Sequence, residues 1–144
     1  LGEGVRGLGV GDRVFGTAVR GGLSDEAEMM SSMAVLLPDG VSPDVAAGFE
    51  LNYGTTYHGL VDIGRLKAGE TLLVLGASGG VGAAAIDIGK ALGATVIACA
   101  SSKEKLDFCK AAGADHVVDY EAGDLRAELK KLKKDGAVGG GFYP

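Results

Sequence analysis

The stretch Thr71 to Gly82, TLLVLGASGGVG, constrains this chain more than any other. An unbroken apolar run passes into a glycine turn, and an alanine-rich amphipathic segment follows directly. That order reads as strand, tight turn, helix. A continuous apolar run suits a parallel strand buried on both faces. Val81, Ala84, Ala85, Ile88 and Leu92 then recur at helical spacing, with Asp87 and Lys90 opposite. Gly76, Gly79 and Gly82 fall where the pyrophosphate of a dinucleotide needs bare backbone. Gly79 lets the anion approach, Gly82 lets the helix pack close against the strand, and the helix N-terminus offers free N–H groups and positive dipole. With 26 glycines in the chain, spacing alone decides little. The context decides: a strand before, a helix after and a second strand next.

The second strand, Thr95 to Ala100, TVIACA, lacks the Asp or Glu that NAD-binding chains place near its end for the ribose hydroxyls. Ala100, Ser101, Ser102 and Lys103 stand there instead, with Lys105 just beyond. Hydroxyls and ammonium groups suit the 2′-phosphate of NADP. A purely local reading is open beside this one: Ser101 and Glu104 have capping-box spacing for a helix beginning near Ser102.

At 144 residues the chain is long enough for one core, or for a domain plus part of another. Its 47% hydrophobic content and mixed charges point to a folded protein. A net charge of -5 argues against a nucleic-acid-binding surface. No apolar run approaches the ~20 residues of a membrane span, and no leader sequence is evident, so the expected compartment is the cytoplasm. Cys99 and Cys109 lack metal-ligand spacing and read as buried small hydrophobes; no metal site is expected. The chain begins at Leu1 and closes on GAVGGGFYP, and both ends look like cuts in a longer polypeptide.

Residues 1 to 37 are glycine-rich with short β-like pieces at Arg13 to Val19 and Met33 to Leu37. After the turn at Pro38 to Gly40, Ser42 and Pro43 read as the cap and first residue of a helical stretch through Phe49. A second stretch runs from about Thr55 to Gly64, and His58 within it reads as a helix histidine with nothing nearby to orient it. Beyond the second strand come a helix from about Lys103 to Ala112, a short strand His116 to Tyr120, and a helix capped by Asp124 whose Leu125, Leu129 and Leu132 share a face. Alternating strands and helices call for a parallel sheet. The expected fold class is α/β, the first half of a doubly wound (Rossmann) sheet with three strands. A fourth should follow, although Gly136 to Pro144 reads poorly as one.

GDRVFG at Gly11 to Gly16, LPDG at Leu37 to Gly40, NYGTTYHGL at Asn52 to Leu60, KAGETLLVLGASGGVG at Lys67 to Gly82 and AAGADHVVDY at Ala111 to Tyr120 occur in this order. Together they closely resemble the medium-chain dehydrogenase/reductase superfamily, specifically its zinc-free quinone oxidoreductase (zeta-crystallin-like) branch. The resemblance implies that residues 1–37 are the C-terminal part of a GroES-like substrate domain and that 38–144 are part of an NADP-binding Rossmann domain. Phe15 to Leu36 contains no cysteine, unlike the four-cysteine lobe of the zinc relatives, so no structural zinc is implied.

Carried over by position, Ser78, Gly79, Gly80 and Val81 are implied to contact the pyrophosphate. Thr55 is implied near the nicotinamide, and Ala98, Lys105 and Tyr120 around the 2′-phosphate. The residue chemistry has simpler readings beside these: Tyr120 as a strand-end rim residue, Thr55 as a helix cap, Ala98 as core. The implied activity is hydride transfer from NADPH to a quinone or an α,β-unsaturated carbonyl, by a protein that is a homodimer when intact. No catalytic acid or base is identified. A non-catalytic, crystallin-like NADPH-binding protein and an inert fragment of such an enzyme are the alternatives.

Overall fold

The computed structural model describes residues 1–134, Gly136 and the backbone of 142–143. The chain forms two compact units, Leu1–Gly54 and Thr55–Pro144.

In the first unit, β1 (Val14–Gly16) pairs antiparallel with β2 (Ala34–Leu36), Phe15 opposite Val35. Both strands are shorter than their β-like sequence stretches. α1 (Pro43–Phe49) starts as its sequence demands: Ser42 is the cap, its Oγ accepting from the Val45 N–H at 3.4 Å, and Pro43 occupies the first turn, where a missing N–H costs nothing. A wider, π-helical segment follows at Glu50–Gly54.

The second unit opens with a short helix, α2 (Thr55–Tyr57), and a π-helical segment His58–Ile63. It continues as β3 (Thr71–Leu75), α3 (Gly80–Ala91), β4 (Thr95–Ala100), α4 (Lys103–Ala111), β5 (His116–Asp119), α5 (Leu125–Lys134) and β6 (Phe142–Tyr143). All four strands are parallel, in the order β5-β4-β3-β6. The three expected strands therefore gain a fourth, which Gly136 to Pro144 reads too poorly to suggest. It is two residues long and pairs with Thr71 and Leu72.

Period-two alternation sends the side chains of each strand to opposite faces. Leu72, Val74, Val96 and Ala98 meet Ala85, Ile86 and Cys109 from α3 and α4 on one face. On the other, Ile97, Cys99 and Val118 pack with Leu73 and with Leu125, Leu129 and Leu132 of α5. Helices thus cover both faces, which makes the sheet doubly wound. The expected leucine face of α5 is the face that packs. Full burial of a side chain such as Ile86, 0% exposed, contributes about 1.5–3 kcal/mol. Helical spacing misjudged the start of α3: Val81 is 49% exposed, and Ile86 takes a core position instead.

Asp115 ties together the edge of the sheet opposite the glycine turn. Its Oδ2 accepts from the Val96 N–H at 2.7 Å and its Oδ1 lies 2.6 Å from Lys90 Nζ. Burial works to raise its pKa, but the Lys90 and Val96 hydrogen bonds outweigh it and hold the carboxyl below its usual range.

Candidate functional site

The C-terminal ends of β3, β4 and β5 lie along one edge of the sheet, with Leu75 beside Cys99 and Ala100 beside Asp119. The connections run outward from β3 through β4 to β5, and the chain then returns to β6 on the other side of β3. Strand order reverses there, and crevices of open α/β sheets form at such points.

The glycine turn closes this edge. Gly76 has φ +62, a left-handed conformation that disfavours any side chain. The Ala77 N–H donates to the Cys99 carbonyl at 3.0 Å, and the Gly79 N–H to the Gly76 carbonyl at 3.0 Å. Gly79, extended at φ -79 and ψ 168, is the cap of α3. The first helical bond runs from the Ala83 N–H to the Gly79 carbonyl at 2.7 Å. Gly80, Val81 and Gly82 precede it, so their N–H groups have no carbonyl within the helix to bond. A Cβ on Gly79 would touch only the Gly76 oxygen, at 3.4 Å, which leaves its outer side open to a ligand. Gly82 is different: a Cβ there would stand 2.6 Å from Ala77 Cα and 2.7 Å from the Gly76 oxygen. It permits the helix to close on the turn itself rather than on the strand, which refines its expected role.

At the end of β4, Ser102 caps α4, its Oγ accepting from the Lys105 N–H at 3.4 Å. The capping-box reading of Ser101 and Glu104 is thereby corrected. Ser101 is left to accept from Lys105 Nζ at 3.0 Å, so its hydroxyl and that ammonium sit together at the strand end. Tyr120, 36% exposed, follows β5, and its N–H donates to the Ala100 carbonyl at 3.3 Å. Ala98 is 0% exposed within the core and presents no surface to a ligand. The simpler core reading describes its side chain, and a direct contact with a phosphate is corrected.

Thr55 is exposed on α2, and its neighbour Thr56, 5% exposed, donates its hydroxyl to the Val81 carbonyl at 3.3 Å. α2 is thereby fastened to the first turn of α3. The structure thus brings Gly76, Ser78, Gly79, Gly80, Val81 and Gly82 into one turn and joins Thr55 to it through Thr56. Ser101, Ser102, Lys105 and Tyr120 gather at the ends of the next two strands.

Two contributors escaped the sequence reading. Thr56 carries no motif signal, since a threonine beside a threonine in a helix is unremarkable until its partner is known. Asp119 had one: its Oδ1 accepts from the N–H groups of Glu121 and Ala122 at 2.9 and 3.2 Å, a turn that Asp is suited to make and that shapes the loop carrying Tyr120. His58 is not without an orienting group, because its Nδ1 lies 2.9 Å from Asp62 Oδ2. Both side chains are more than half exposed, so the pair is a surface contact of small energetic weight.

Burial, with Cys109 adding to it, pushes the Cys99 thiol up to about 11, and burial raises Cys109 as well. Both stay protonated and serve as small hydrophobes. Among the described residues no group of three or more His, Cys, Asp or Glu could hold a metal ion, and no helix is long and apolar enough to cross a membrane.

Residues 80–140 match the family described as zinc-binding dehydrogenase. The crystal structure of Escherichia coli quinone oxidoreductase complexed with NADPH superposes with a TM-score of 0.88 at 32% identity, over 93% of this chain and 41% of that one. Over most of its length the chain is thus similar to a portion of the quinone oxidoreductases of the medium-chain dehydrogenase/reductase superfamily. It is 35% identical over 134 residues to a quinone oxidoreductase-like protein 2 homolog of Nematostella vectensis, covering 92% of this chain and 36% of that protein. It is 39% identical over 119 residues to a mycocerosic acid synthase-like polyketide synthase of Mycolicibacterium smegmatis, covering 83% of this chain and 6% of that protein. The chain therefore spans well under half the length of these relatives.

Proposed function

We propose that the chain forms part of an NADPH-dependent oxidoreductase that passes hydride to a quinone or to the β-carbon of an α,β-unsaturated carbonyl. One observation carries the reading: free N–H groups at the glycine turn share a sheet edge with the Lys105 ammonium, held 3.0 Å from the Ser101 hydroxyl. No carboxylate stands at residues 100–103. The open side of Gly79 and the exposed helix-start N–H groups of Gly80 and Val81 fit a diphosphate, and the hydroxyl–ammonium pair fits a 2′-phosphate. The likeness to an NADPH-bound quinone oxidoreductase supports the same choice.

When bound, NADPH supplies the hydride from its nicotinamide ring. The residues of the chain orient it. Ser78, Gly79, Gly80 and Val81 hold the diphosphate, with Gly76 and Gly82 giving the turn its shape. Ser101, Ser102, Lys105 and Tyr120 surround the 2′-phosphate, and Thr55 borders the nicotinamide end. Such positioning lowers the barrier by removing orientational freedom before reaction. Charge developing on the substrate oxygen needs a hydrogen-bond donor, and we assign none within this chain. Residues 1–37 are taken as the end of a GroES-like substrate domain, 38–144 as part of the NADP-binding domain, and the intact protein as a cytoplasmic homodimer.

Titration with NADPH and NADH tests the reading. Charge-assisted hydrogen bonds contribute about 1.5–3 kcal/mol each, which predicts a preference for NADPH of roughly tenfold to a hundredfold. Equal affinities would defeat it. Turnover of a simple quinone against that of an enone then separates the two acceptor classes.

A further inference from the structure

We infer that Thr56 is a positioning residue that couples the two ends of the cofactor site; this rests on the reading of the glycine turn as a diphosphate cradle. Its hydroxyl reaches the Val81 carbonyl at 3.3 Å. That carbonyl lies in the first turn of α3, one residue beyond Gly80 and beside the N–H groups assigned to the diphosphate. Thr55, assigned to the nicotinamide end, precedes Thr56 on the same short helix. This hydrogen bond therefore spans the two elements that grip opposite ends of one ligand.

The Thr56 end of the bond is buried, only 5% exposed, while Val81 is 49% exposed, so the bond is partly shielded from water. A carbonyl has two lone pairs, and that of Val81 also lies within the helical ladder, so the hydroxyl adds to that ladder rather than replacing it. Its effect is geometric: it fixes how far the first turn of α3 can rotate relative to α2. Diphosphate binding at α3 and nicotinamide contact at Thr55 are then not independent events. Ordering one end orders the other, and the cost of aligning the two halves of the cofactor is met in the fold before binding.

Thr56→Val tests this, since it keeps the branched shape and leaves the Val81 carbonyl its helical bond. We expect NADPH to bind about threefold to tenfold more weakly, the worth of one neutral hydrogen bond. Adenosine 2′,5′-bisphosphate, which lacks the nicotinamide half, should bind as to the wild type. Thr56→Ser should restore NADPH affinity. In the absence of any ligand, the amide resonance of Gly82, whose N–H shares its peptide unit with the Val81 carbonyl, should shift in Thr56→Val while those of Ser101 to Lys105 stay in place. Equal weakening of both ligands would overturn the inference and make Thr56 merely structural, as would unchanged NADPH affinity. If wild-type protein binds neither ligand while the Gly82 resonance still shifts, the cofactor reading itself fails and the coupling falls with it.

Discussion

Gly82→Ala probes the closest approach in the site. The new methyl would stand 2.6 Å from Ala77 Cα, 2.8 Å from Ala77 C and 2.7 Å from the Gly76 oxygen, roughly 1 Å inside normal carbon contact. These are backbone atoms, and the bonds from Ala77 to Cys99 and from Gly79 to Gly76 hold them in place, so no side chain can swing aside. Relief requires α3 to lift off the turn. Overpacking of this kind costs about 1–3 kcal/mol, and contacts with fixed backbone belong toward the upper part of that range. Alanine returns up to about 1 kcal/mol in helix propensity, which leaves a net loss of about 1–2 kcal/mol. For a unit of this size each kcal/mol lowers Tm by about 4–8 °C. Thermal unfolding followed by circular dichroism reads the loss directly. Gly79→Ala is the control: its methyl meets only one oxygen, at 3.4 Å, so it should cost under about 1 kcal/mol while NADPH affinity falls tenfold or more. A Gly82→Ala protein with an unchanged or raised Tm would refute the close-packing argument.

Lys105→Ala and Tyr120→Ala should weaken NADPH about threefold or more while leaving NADH nearly unaffected. Parallel titrations check this, and equal loss for both cofactors would assign the residues to folding instead. Asp115→Asn should lose about 1 kcal/mol near neutral pH through its bonds to Lys90 and Val96. Because the folded carboxyl titrates below its unfolded value, this stability is present above the unfolded pKa of about 4 and is lost as pH falls through the folded one. Urea midpoints of wild type and variant should therefore draw together as the pH is lowered below about 4, and a gap that does not narrow would contradict the assignment. Cys99 and Cys109 are both buried and raised in pKa, so neither should react with a maleimide at pH 7.5 in the native protein, and both should react in guanidinium chloride. Rapid native labelling would mean that the core opens.

Much of the second unit was legible in the linear chain because its signals are local. Hydrophobic runs of strand length, the spacing of Leu125, Leu129 and Leu132, and caps such as Ser42 and Asp124 act within a few residues of themselves, so their consequences can be read without knowing the fold. The glycine turn is local in the same way: Gly76 needs a left-handed backbone wherever the rest of the chain lies. What packs against that turn is not local. Gly82 is shaped by Ala77 and Gly76 only once the helix has turned back on the strand end. Thr56 acquires its role from a carbonyl 25 residues away. Ala98 belongs to the core because β4 lies between β3 and β5 with helices covering that face, a burial that no property of alanine announces. The cap of α4 fell to Ser102 rather than Ser101, a difference of a single residue of helix start, since either serine can cap and only the path of the chain leaving β4 selects one. The two-residue β6 depends on the long-range pairing of residues 142–143 with Thr71 and Leu72. Backbone hydrogen bonds to a buried neighbouring strand supply what the weak propensity of a glycine-rich segment cannot, so the sheet recruits that strand and the sequence does not announce it.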